Sequence, residues 1–67
     1  MSLRNHDWRD VVNVLTRYGF AIERQHGIHV QLKHIDGRLV TIPKHDPIKK
    51  WTLRAILEET GVSREEF

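Results

Sequence analysis

The stretch Gly27-Ile28-His29-Val30-Gln31-Leu32-Lys33-His34-Ile35-Asp36-Gly37-Arg38-Leu39-Val40-Thr41-Ile42-Pro43 decides the fold. Ile28, Val30 and Leu32 alternate with His29, Gln31 and Lys33, the period of two that a half-buried strand requires. Asp36-Gly37 follows, a dipeptide suited to a tight hairpin turn. Leu39-Val40-Thr41-Ile42 is the next apolar run, and Pro43, with no N–H for a ladder, ends it. Upstream, Phe20, Ile22 and Arg24 alternate with Ala21, Glu23 and Gln25, and His26-Gly27 reads as the turn into the following strand. Three antiparallel strands joined by tight turns are expected.

A helix is expected on either side of them. Trp8, Val11, Val12, Leu15 and Tyr18 form the stripe of an amphipathic helix, with Asp7 as its N-cap and Gly19 as its stop. Beyond a basic, proline-punctuated loop from Pro43 to Lys50, Leu53, Ile56 and Leu57 mark one face of a second helix, closed by Gly61. Ser63-Arg64-Glu65-Glu66 has the form of a capping box and opens a last helical turn. The order α-β-β-β-α makes this an α+β protein, a three-stranded antiparallel sheet with two helices on one face and the other face open. If Ile28, Val30 and Leu32 face the helices, His29, Gln31 and Lys33 stand on the open face.

Size and composition narrow the function. A chain of 67 residues is a single domain, 1–67, and too short for a nucleotide-binding sheet with a separate substrate domain. At this length only about 60% of the unfolded surface can be buried, so the core must be small and tightly packed. The absence of cysteine excludes a disulfide framework and thiolate metal sites and fits a reducing cytoplasm. No apolar run is long enough for a membrane span, and Met1-Ser2-Leu3-Arg4-Asn5-His6-Asp7 is too polar for a signal peptide.

Charge is unevenly distributed along the chain. Residues 24–50 carry Arg24, Lys33, Arg38, Lys44, Lys49 and Lys50 against Asp36 and Asp46, and hold four of the five histidines. Residues 51–67 reverse the balance, with Arg54 and Arg64 against four glutamates. The basic middle is where a polyanionic partner would dock.

These residues also resemble a known family. Gly27-Ile28-His29, followed by His34-Ile35-Asp36-Gly37-Arg38, is similar to the G-x-H…H-x-D-G-R core of HicA-type toxins. Val11 to Phe20 with Arg24-Gln25, Ile42-Pro43-Lys44-His45, Lys49 to Leu57 and Gly61 to Phe67 match the family in the same order and spacing. The sequence departs from the pattern at Ile28, where a small or polar residue is usual, at Val30, often a second histidine, and at Trp51, usually glycine. Family members are small messenger-RNA interferases with a fold like that of double-stranded-RNA-binding domains. The resemblance implies a toxin of a toxin–antitoxin pair that cleaves mRNA, with a HicB-type antitoxin as partner, and it carries the catalytic histidine onto His29.

The chemistry suits such a site. RNA supplies its own nucleophile, the 2′-OH, so cleavage needs proton transfer and charge neutralisation, with no metal or other cofactor. A histidine can accept that proton near neutral pH. Lys33 on the same strand face is a candidate for stabilising the phosphorane, and Arg24, Arg38 and Lys44 for holding the flanking backbone. His45 is the candidate general acid. His26 reads as a solvated turn residue and His34 as a strand-end residue held by packing or a turn hydrogen bond. Three histidines spaced H-x2-H-x4-H do not point one way along a strand, and no carboxylate completes a metal site. Trp8 belongs to the first helix's apolar stripe, and Trp51 is expected to cover the edge of the core. Two other readings use the same basic face: a non-catalytic RNA-binding module, and a protein-interaction domain with an acidic partner.

Overall fold

The computed structural model describes residues 6–67, and the reading of residues 1–5 as part of a polar N-terminus lies outside them. Helix α1 runs Trp8–Thr16. Its start is fixed twice: the Asp7 carboxylate accepts from the Asp10 N–H at 2.9 Å, and Asp46, from the distant loop, accepts from the Trp8 N–H at 3.1 Å. Both carboxylates sit where the helix presents unpaired N–H groups and the positive end of its dipole. The buried stripe is Val11, Val12, Val14 and Leu15, with Trp8 packed against it. Tyr18 falls beyond the helix and is 43% exposed, because the chain tightens into a turn after Thr16. Its phenol is held above its ordinary pKa by a hydrogen bond to Glu66.

Strands β1 (Phe20–His26), β2 (His29–His34) and β3 (Leu39–Pro43) form one antiparallel sheet in the order β1-β2-β3. Helix α2 spans Lys50–Thr60 and ends at Gly61, whose φ of +72° is the left-handed geometry of a helix stop. A short 3-10 helix, Arg64–Glu66, follows, opened by the Ser63 hydroxyl accepting from the Glu65 N–H. The α-β-β-β-α order expected from the sequence is the order observed.

The inner face of the sheet, Phe20, Val30, Leu32, Val40 and Ile42, packs under both helices together with Leu15, Ile48, Leu53, Ile56 and Phe67. Each fully buried aliphatic side chain here contributes about 1.5–3 kcal/mol of transfer free energy. Two expectations about the core fail. Trp51 does not cover its edge: it lies in the first turn of α2, 71% exposed, with the Lys49 ammonium 5.1 Å from its ring centroid, while Ile48 and Leu53 fill the core. Ile28 does not face the helices either, because it sits in the β1–β2 turn and is 57% exposed.

Beyond Phe20 every residue of β1 is exposed. The helices cover the inner face of β2 and β3 and the near end of β1, and leave β1 beyond Phe20 exposed. Among the described residues no helix is long and apolar enough to cross a membrane.

Candidate functional site

A change of register assembles the site. Strand β1 pairs Phe20 with His34, Ala21 with Lys33 and Ile22 with Leu32; the next pair is Arg24 with Gln31. Glu23 is thus one residue too many, a β-bulge, and it reverses the alternation of everything after it. Directly opposed residues of an antiparallel pair share a face. Before the bulge Phe20 and Ile22 share the inner face with Leu32; after it Gln25 opposes inward-facing Val30, and Arg24 and His26 lie on the outer face opposite Gln31 and His29. The sequence pattern had aligned Arg24 with Phe20 and Ile22, and the bulge corrects that alignment.

The turn completes the arrangement. Gly27, at φ +55°, and Ile28 form a two-residue connection, so His26 is the last residue of β1 and not a turn residue. His26 therefore stands directly across from His29. On the third strand Thr41 opposes Gln31 and Pro43 opposes His29. Arg24, His26, His29, Gln31 and Thr41 line a shallow depression of about 200 Å³ on the open face of the sheet. His29 and Arg24 are exposed, and among the described residues no carboxylate forms an ion pair with Arg24. Two imidazoles, a guanidinium, an amide and a hydroxyl make a small, donor-rich hollow suited to an anionic group with room on either side of it.

The other candidates lie elsewhere. Lys33 shares the outer face with His29 but is four residues along β2, about 13 Å at the usual rise of a strand. Its ammonium lies 3.8 Å from the Glu23 carboxylate in a half-exposed pair of little energetic weight. Arg38 is committed to the fold. Its Nε donates to Asp36 Oδ2 at 2.8 Å, its Nη1 donates to the Thr60 carbonyl at 2.9 Å, and its guanidinium lies over the inner-face Phe20 ring. Lys44 donates its backbone N–H to the Ile28 carbonyl at 2.6 Å, which pins the following loop beside the β1–β2 turn. Its ammonium, however, lies 5.3 Å from the centroid of the Trp8 ring, toward α1. His45 is exposed in that loop and does not line the depression.

His34 behaves as a structural residue. Its Nε2–H donates to the Tyr18 carbonyl at 2.9 Å, and its Nδ1 lies 3.1 Å from the Asp36 N–H and 3.0 Å from Asp36 Oδ1. The ring approaches Gly19 so closely that a Cβ there would lie 2.8 Å from Nε2. Among the described residues no three histidines or carboxylates come together as a metal site.

Sequence reasoning missed His26 and the outward turn of Arg24. For His26 a signal existed: moving the turn by one residue, to Gly27-Ile28, pairs the two histidines. For Arg24 there was none, since nothing in the order of side chains marks Glu23 as extra.

The fold and sequence also match known proteins. The family described as "HicA toxin of bacterial toxin-antitoxin" matches residues 8–62, which span both helices and all three strands. A solved structure described as "Toxin-Antitoxin complex from Streptococcus pneumoniae" contains a chain that superposes with a TM-score of 0.75 at 28% sequence identity, covering 84% of this chain and 97% of that one. No curated protein matches. With its sheet, its basic hairpin and its two helices all inside the matched segment, this chain belongs to the HicA toxin family.

Proposed function

We propose that this protein is the toxin of a toxin–antitoxin pair and a metal-independent endoribonuclease that cleaves mRNA in the cytoplasm, held in check by a HicB-type antitoxin. The observation that carries the reading is the position of His29, exposed in a depression that also holds Arg24, Gln31 and Thr41. A phosphodiester in that hollow meets the Arg24 guanidinium, which suits a phosphate oxygen, while the His29 imidazole takes the proton of the adjacent 2′-OH. Attack of the 2′-oxygen on phosphorus then releases the 5′-oxygen and leaves a 2′,3′-cyclic phosphate. Gln31 and Thr41 offer neutral hydrogen bonds to the sugar or a base edge. Lys33 and Lys44 flank the hollow at longer range and attract the neighbouring phosphates. The antitoxin partner follows from family membership and from the assembly in which the S. pneumoniae chain was solved.

The test is cleavage of a labelled single-stranded mRNA in EDTA by the wild type and by His29→Ala. The wild type is expected to give fragments ending in 2′,3′-cyclic phosphate, and the variant to be slower by about 10²–10⁴-fold with unchanged RNA binding. Salt-sensitive binding without cleavage by either protein would instead make this a non-catalytic RNA-binding module.

A further inference from the structure

Cleavage by 2′-oxygen attack has a second proton to move. The leaving 5′-oxygen departs as an alkoxide unless a group on the far side of phosphorus protonates it, and a general acid there is worth about as much as the base. The loop residue His45 does not line the depression, and the two lysines are turned elsewhere: Lys33 toward Glu23, Lys44 toward Trp8.

We infer that His26 is the general acid of this site, the partner of His29 across the β1–β2 hairpin. The inference rests on the ribonuclease reading above and extends it. His26 and His29 are directly opposed in the ladder, with only Gly27 and Ile28 between them in the chain. Their Cβ atoms are therefore about 5 Å apart on one face, a spacing from which two imidazoles can diverge to straddle one phosphate. Both rings line the same depression. Imidazole is the side chain suited to both roles, accepting a proton in its neutral form and donating one in its charged form.

The proton balance closes without any other reactant. The neutral His29 ring accepts the 2′-OH proton as the 2′-O–P bond forms. The protonated His26 ring gives its proton to the 5′-oxygen as the P–O5′ bond breaks. The products are a 2′,3′-cyclic phosphate and a free 5′-OH, with His29 now charged and His26 neutral, and exchange with water resets both. Arg24 lies on the same face two residues before His26, about 7 Å along the strand, and is placed to hold a non-bridging oxygen. The Gly27-Ile28 turn sets the register that puts these two β1 side chains on the face that carries His29, and the bulge at Glu23 lets Phe20 and Ile22 still share the face of Leu32.

The test separates proton donation from every other role of His26. Wild type, His26→Ala, His29→Ala and His45→Ala are each assayed on an ordinary oligoribonucleotide and on one whose scissile 5′-oxygen is replaced by sulfur. A thiolate leaves without needing a proton. His26→Ala is expected to lose about 10²–10⁴-fold on the ordinary linkage and to return to within about tenfold of wild type on the sulfur linkage, while His29→Ala stays slow on both. Because His26 is exposed at a hairpin end, its variant is expected to keep the wild-type circular dichroism spectrum and melting temperature. Equal losses by His26→Ala on both linkages would overturn the proposal and make His26 a residue that positions RNA. Wild-type rates for His26→Ala on both, or rescue by sulfur in His45→Ala instead, would overturn it while leaving the ribonuclease intact. If the wild type itself cleaved neither substrate, the ribonuclease reading would fail and this inference with it.

Discussion

The two hairpin ends of this sheet hold nearly the same residue types and use them in opposite ways. At the β2–β3 end, His34 and Arg38 are saturated by the Tyr18 and Thr60 carbonyls and by Asp36. At the β1–β2 end, His26, His29 and Arg24 surround a hollow whose lining, among the described residues, holds no carboxylate. What separates a histidine committed to the fold from one left open to solvent is thus the company the fold supplies. Asp36 converts one cluster into a clasp between the sheet and the end of α2, and the lack of an equivalent acid leaves the other for an anionic ligand.

The largest effect expected from breaking this contrast comes from giving the open hollow the acid it lacks, by Gln31→Glu. Residue 31 lies directly across from Arg24 and lines the depression, so a carboxylate there pairs with the guanidinium and repels an incoming phosphate. RNA cleavage should fall by at least about 10²-fold, while the thermal transition remains cooperative. Undiminished cleavage by this variant would show that the missing acid is not what leaves this end open.

Gly19→Ala attacks the other end. It places a side chain at φ +93° and a Cβ 2.8 Å from His34 Nε2, so the ring must give up its bond to the Tyr18 carbonyl. We expect a loss of about 2 kcal/mol, a drop in Tm of roughly 8–16 °C, and little change in cleavage measured below that transition. A Tm equal to that of wild type would mean that the clasp does not depend on this approach.

The smallest effect concerns acid. The Asp36 carboxyl is held below its ordinary pKa, first by the Arg38 backbone N–H, then by the Arg38 guanidinium and, less, by His34. A lowered folded value means that the stabilisation is fully present above the ordinary carboxylate range and is lost as pH falls through the folded value. Wild type should therefore lose more Tm than Asp36→Asn between neutral pH and pH values below the carboxylate range. Parallel Tm curves for the two proteins would show that Asp36 contributes no pH-dependent stability.

Much of this architecture could be read from the chain. The 3.6-residue stripe from Trp8 to Leu15, the Asp36-Gly37 turn and the stop at Pro43 are each enforced by local chemistry, so element type and order follow directly. The outward placement of His29 followed as well, because Val30 next to it and Leu32 two residues further on must be buried. Arg24, His26 and Arg38 could not be placed in this way. The first two depend on register across the hairpin, where one residue more or less exchanges faces. Arg38 depends on the Thr60 carbonyl, which the fold brings from 22 residues away. Local periodicity contains neither kind of information.

The bulge has a consequence outside chemistry. In a sheet ordered β1-β2-β3, β1 is a free edge, and beyond Phe20 neither helix shields it. A straight edge of that length is a template onto which a second copy, or a partly folded chain, can add a strand. Glu23 breaks the spacing of its unpaired backbone groups in the middle and adds a charge, so an incoming strand cannot stay in register past it. The residue that reconciles an inward Phe20 with an outward His26 thus also guards the molecule against self-association through its longest exposed strand.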